Sequence, residues 1–427
     1  MRKSLPKDNL FGIFIAILVF TIILLVLNLA GVSFGNEKNS GNEQRTINIL
    51  SLNPKDYPEL AEVGSNVDSF ERLSDFFEDI ALKKGGAYAF NVLRLADLPP
   101  GTDMHLLGHV VGDVLYKQDG LDGIHVCTQD FRNACSHSIV VGLFYDQGES
   151  ALGKIAETCR NAPGGKGAYT MCFHGLGHGV LAHSSYDLEK AVTLCDQTST
   201  AEYGGRESVE CVGGTIMEII GGVHDREAWE RQYKNYFKDE DPLYPCTADF
   251  MSDEVRGMCY NYLTPHLFEA AGGSLENPIP SFKEAFTFCD AIPPERKSER
   301  TTCFGGFGKE FIVLAKDRDI RDIGTMTEIQ VKRVYDWCKL APNREGTDAC
   351  LQFAMSSMYW GGENDYGSAL KLCSIMTEDK GYRDNCYNGL VGNVHYYQGG
   401  LNNDKYIKDF CQSLPEEYQS DCGLENI

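Results

Sequence analysis

The chain has little positive charge for its length. Its 427 residues carry 39 Lys and Arg against 61 Asp and Glu, a formal net charge of −22, whereas a protein that neutralises phosphates needs a basic face. Nucleic acid is therefore excluded as a partner, and the acidity reads as a solvated exterior that also concentrates cations. No Walker phosphate loop and no Gly-x-Gly-x-x-Gly occurs, so two common nucleotide cradles are absent. No Asn-x-Ser/Thr sequon is present, and N-glycosylation is not expected. Sixteen cysteines occur without one Cys-x-x-Cys, which argues against structural zinc.

Those cysteines instead form eight neighbouring pairs, separated by 8 to 16 residues inside a pair and by longer, more variable stretches between pairs. Paired thiols in an even number suit disulfides in an oxidising compartment. Pairing inside each helix-pair unit would leave Cys127 and Cys422 to find each other, which only a closed ring allows. Pairing across the junctions uses every cysteine locally: Cys127–Cys135, Cys159–Cys172, Cys195–Cys211, Cys246–Cys259, Cys289–Cys303, Cys338–Cys350, Cys373–Cys386 and Cys411–Cys422. The junction scheme is favoured.

The cysteines mark a repeat. Cys172 opens a glycine-rich apolar segment, a turn follows at Ser184-Ser-Tyr-Asp, and Leu188-Glu-Lys-Ala-Val-Thr-Leu-Cys195 runs in helical period. The order recurs at Cys135–Cys159, Cys259–Cys289, Cys303–Cys338, Cys350–Cys373 and Cys386–Cys411. An acidic, aromatic insertion lengthens Cys211–Cys246, and an eighth unit without an opening cysteine precedes them at Asp103–Cys127. Opening cysteines are 36 to 48 residues apart. Such a period predicts an all-α fold of stacked two-helix repeats (A, then B), either an open solenoid or a closed toroid, because one hairpin cannot bury its apolar face alone. The B segments ending at Cys195 and Cys373 resemble the second half of Sel1-type or tetratricopeptide repeats. That resemblance implies a stack of helix pairs whose concave face takes a protein or polymer ligand; it implies no chemistry.

Residues 10–32 are uncharged and long enough as a helix to span a bilayer of about 30 Å. Arg2, Lys3 and Lys7 precede them, so the positive-inside rule places residues 1–9 in the cytoplasm and the rest outside. A cleaved signal peptide is the alternative, but its apolar stretch is shorter. The expected layout is a tail (1–9), a transmembrane signal anchor (10–32), a polar tether (33–66) and an extracytoplasmic repeat domain (67–427) opened by a capping helix near Ser69.

Five of the ten histidines fall at matching offsets in the first three units: His105 and His109, His137, and His174 and His178. Residues four apart are neighbours on a helix, so each His-x-x-x-His can aim two imidazoles at one point. Chance would supply about 0.2 such pairs by counting matches to the template; two occur, both in the same register. Stacked units would bring all five rings onto one inner patch, which predicts a transition-metal site for zinc, copper or iron rather than calcium or magnesium. Asp113 continues the stripe but lies about 12 Å along the helix from His105. It would hold a ligand in place, serve a second ion, or sit as a surface acid. Glu218 is a candidate catalytic general base beside the patch. The closely spaced glycines of the A segments read as tight contact between neighbouring helices, or as turns that offer backbone amides to an anion. Three functions remain open: a metal-dependent hydrolase or oxidase, a scaffold without catalysis, and a metal storage or delivery protein.

Overall fold

The computed structural model describes residues 52–422, apart from 67–68, 163, 201–203, 223, 225, 239, 362 and 399–402. The expected tail (1–9) and membrane helix (10–32) lie outside the described residues. Among the described residues no helix is long and apolar enough to cross a membrane.

The described chain is all-helical. In order come α1 (Leu60–Asn66), α2 (Phe70–Lys84), α3 (Gly86–Leu95), α4 (Met104–Asp119), α5 (Asp130–Gln147), α6 (Leu152–Arg160), α7 (Gly165–His183), α8 (Leu188–Asp196) and α9 (Arg206–Gly221). Then follow α10 (Arg226–Tyr236), α11 (Asp253–Ala270), α12 (Pro278–Asp290), α13 (Lys297–Ala315), α14 (Glu328–Cys338), α15 (Arg344–Trp360), α16 (Gly367–Ile375), α17 (Lys380–Gln398), α18 (Asp404–Ser413) and α19 (Glu416–Gln419). The packed region starts earlier than residue 67. Part of the expected tether is helical, and the residues just before α1 anchor it: the Tyr57 ring packs at a tilt against Tyr88 at 5.1 Å and Glu59 accepts from the Tyr88 hydroxyl at 2.8 Å.

Helix starts follow the local chemistry. The side chains of Asp103, Asp187 and Asn343 accept backbone N–H bonds at the first turns of α4, α8 and α15, and Thr327 with Gln330 closes a capping box on α14. The A helices α4, α5, α7, α9, α11, α13, α15 and α17 lie side by side in sequence order. Helix α7 is buried without interruption from Gly167 to Ala182, whereas α8 buries only the stripe Leu188, Ala191, Val192, Leu194 and Cys195. An A helix turns into its B helix through two consecutive left-handed residues, Ser185 and Tyr186, Asp317 and Arg318, or Glu363 and Asn364.

Glycine lets the A helices touch. A Cβ at Gly177 would be driven into the carbonyl of Cys211, and one at Gly214 into that of His174. The cystines lock the same junctions: seven of the eight bonds join the end of one unit to the next A helix, the eighth, Cys411–Cys422, ties α18 to the turn after α19, and all follow the junction pattern with Cα separations of 5.4 to 5.8 Å.

The described array neither stays open nor closes into a flat ring. The loop before α4 meets the loop after α13, where Arg321 donates to the carbonyl of Ala96 at 2.6 Å and Gly101 N–H donates to Asp317 at 3.0 Å. The start of α5 meets the end of α15, where the Asn364 amide donates to Gln129 at 3.2 Å. The start of α7 meets the end of α17, with Lys166 over the ring of Tyr396. Each contact joins a unit to the fifth one after it, so the A helices wind around a central lumen with about five units per turn.

Candidate metal centre

Helix α4 carries His105 and His109 one turn apart, α5 carries His137, and α7 carries His174 and His178; all five are buried. Their rings form a continuous patch facing the lumen. Centroids lie 4.7 Å apart for His105–His109, 5.5 Å for His105–His137, His109–His137 and His137–His174, and 5.2 Å for His174–His178. A sixth ring joins them. His224, in the glycine-capped turn after α9, lies 5.6 Å from His109 and 5.8 Å from His178, which is itself 5.7 Å from His109. Three imidazoles around one ion with metal–nitrogen bonds near 2.1 Å have centroids roughly 5 Å apart, close to the spacing in both triangles that share His109.

The hydrogen bonds fix the tautomers. His105 Nδ1 is 2.7 Å from the carbonyl of Phe131, which only accepts, so Nδ1 carries the proton. His109 Nδ1 lies 3.2 Å from Ser138 Oγ, which is also 3.1 Å from the His109 carbonyl; with the Ser138 proton on that carbonyl, this Nδ1 is the donor as well. Both Nε2 atoms are then bare. They face each other at 3.2 Å, near the donor–donor edge of about 3.3 Å in a tetrahedral site with 2.0 Å bonds. Burial pushes His105 down to about 4 and holds His109, His137 and His174 well below the usual imidazole range, with their mutual repulsion adding to it. At neutral pH two lone pairs oppose each other, an arrangement that a cation between them would relieve.

Glu218, on α9, is fully buried and accepts from His178 Nδ1 at 2.9 Å and His224 Nδ1 at 3.0 Å on one oxygen. The other oxygen accepts from the Tyr186 hydroxyl at 2.5 Å and the His224 backbone at 3.1 Å. Burial alone would raise its pKa; His224 and His178 outweigh that and hold it far below the carboxylate range. This saturation differs from what a general base needs. Glu218 sets the orientation of two rings, leaving His178 Nε2 and His224 Nε2 buried without a hydrogen-bond partner. Among the described residues, His105, His109 and His137 form one group that could hold a metal ion, and His178, Glu218 and His224 form another. A third grouping, His395 with Cys411 and Cys422, offers no thiolate because the two cysteines are bonded to each other.

His174 sits at the edge of the patch, with Nε2 3.4 Å from the sulfur of Met217 and its ring 4.6 Å from Tyr262. Asp113 is half-buried beside Ser138 and His224, and burial raises its pKa. The patch is reached from two spaces. A lumen cavity of about 280 Å³ is lined by His105, His109, His137, His174 and His178, and a recess of about 660 Å³ by His109, Asp113 and His224.

The sequence offered no register for His224, which falls in a turn rather than on a helix face. Its only signal is its place six residues beyond Glu218, just past two glycines.

No family model, curated protein or solved structure matches this chain. Fold and site together define a cystine-stapled, all-helical repeat protein whose histidine groups could hold metal ions.

Proposed function

We propose that this protein is a membrane-anchored, extracytoplasmic metalloprotein that binds two transition-metal ions and acts as a metal-dependent enzyme. One ion is held by His105, His109 and His137, and the other by His178 and His224 with Glu218 gripping both rings. The observation that carries this reading is the pair of bare Nε2 atoms of His105 and His109 facing each other at 3.2 Å, each turned inward by a bond on its far nitrogen. The donor set is imidazole-rich, which suits zinc, copper or iron. Cavities on the patch favour an enzyme over storage, since catalytic metals keep an open coordination position. Eight cystines support an oxidising compartment, and the uncharged run at 10–32 supports the anchor.

Elemental analysis of the purified full-length protein should find close to two transition-metal ions per chain. The double variant His105→Ala, His109→Ala should lose at least one of them while keeping its helical circular dichroism. A wild-type protein that binds no metal, even after loading, ends this reading. Azide added to cobalt-substituted protein should shift its visible spectrum; a spectrum blind to azide would instead indicate a closed storage site.

A further inference from the structure

The lumen cavity that reaches the histidines also contains two cations with no carboxylate partner. Arg132 lies at the start of α5, where Phe131, Arg132 and Asn133 all have positive φ (53°, 56° and 65°) before the regular helix begins. Non-glycine residues rarely adopt this conformation, and it is retained where the surroundings demand it. Here it brings the Phe131 carbonyl to His105 and puts the Arg132 guanidinium on the cavity, with Nε and one terminal nitrogen buried and unpaired. Lys309, on α13, is buried on the same cavity with its ammonium 3.7 Å from the centroid of Tyr262. Among the described residues neither cation has a carboxylate oxygen within 4.0 Å. Burial pushes Lys309 down to about 7; Glu310, on the same cavity but out of contact, attracts both cations, Arg132 repels Lys309, and the two reach His105 and His174 electrostatically.

We infer that the lumen binds a small organic oxyanion, a carboxylate or phosphate, between Arg132 and Lys309, with the rest of the molecule extending toward the histidine patch. A half-buried guanidinium with two unpaired nitrogens and a buried ammonium, neither touching a carboxylate, gain from a closer counter-ion, and guanidinium and ammonium are the groups that recognise such anions. That the anion is the substrate of the metal centre rests on the reading above; the anion site itself does not.

Metal-stripped full-length protein separates the two. Inorganic phosphate and malonate, titrated calorimetrically, should bind the stripped wild type, and Arg132→Gln and Lys309→Met should each weaken binding by roughly tenfold or more, as loss of a charge-assisted hydrogen bond implies. Lys309→Arg should retain binding, which excludes misfolding as the cause. No binding of either probe, or binding unchanged in both charge-removing variants, overturns the inference whatever the metal content. Loss of binding in Lys309→Arg as well as in Lys309→Met also overturns it, since the site would then be a packing effect.

Discussion

A single hydroxyl decides which nitrogen His109 shows to the cavity. Ser138 accepts from His109 Nδ1 and passes its own proton to a carbonyl, so removing it frees the ring to flip or tautomerise. Ser138→Ala is expected to weaken metal affinity by about 10–100-fold, as is usual when a ligand's supporting partner is lost, and competition with a chelator reads it directly. An unchanged affinity would mean that Ser138 only packs. At this scale the sequence was informative where helical geometry did the work. His105, His109, His174 and His178 were legible because a four-residue spacing fixes two rings on one face. His224 and Arg132 were not, because one sits in a capped turn and the other on left-handed backbone, and neither position carries a period. Glu218 was visible as an acid near the patch. Its saturation by four donors depends on Tyr186 and His224, residues that only the folded chain brings to it.

Between helices, the decisive residue is glycine. Gly177 lies against the Cys211 carbonyl, and Gly153, on α6, has nothing within 4 Å of where a Cβ would stand. Gly177→Ala should therefore destabilise by about 1–3 kcal/mol through forced separation of α7 and α9, while Gly153→Ala should be neutral or stabilising by up to about 1 kcal/mol. Equal melting temperatures for the two variants would contradict this account of the interface. The second proposed metal group spans the same helices, with His178 on α7 and His224 in the turn after α9, so Gly177→Ala should also weaken metal binding there. Helix existence, the A and B alternation and the junction cystines were legible from the cysteine spacing, since a short gap can be closed only by neighbouring helix ends. The extra helices before residue 67 were not, because they are held by Tyr57 and Glu59 against a distant part of the chain rather than by any local pattern.

Across the whole described array, a proton is shared where one turn meets the next. Asp130 at the start of α5 and Glu363 at the end of α15 form a carboxyl–carboxylate pair beside Arg94, Thr128 and Asp322. Burial and the hydrogen bond to Asp130 push Glu363 up to about 9 from its ordinary 4.5. Between those values the folded chain keeps a proton that the unfolded chain has released. The contribution is therefore complete below pH 4.5 and lost as pH rises through 9. Glu363→Gln, which imitates the protonated group, should match the parent's melting temperature near pH 5 and exceed it near pH 9; parallel curves would rule out the shared proton. The offset of five units was not legible in the sequence, because it arises from the angle at which each glycine-bearing A helix lies on the next, and that angle has no residue pattern of its own.

That offset also limits how the molecule can change in length. A hairpin inserted between α7 and α13 would place Arg321 six units from Ala96 instead of five, and Asn364 six from Gln129, so every pairing between layers would be lost at once. A hairpin appended after α18 would disturb none of them. Growth of this protein by whole repeats is thus confined to its far end and leaves the histidine-bearing units nearest the start untouched, whereas loss of the last unit would take Tyr396 away from Lys166 on α7.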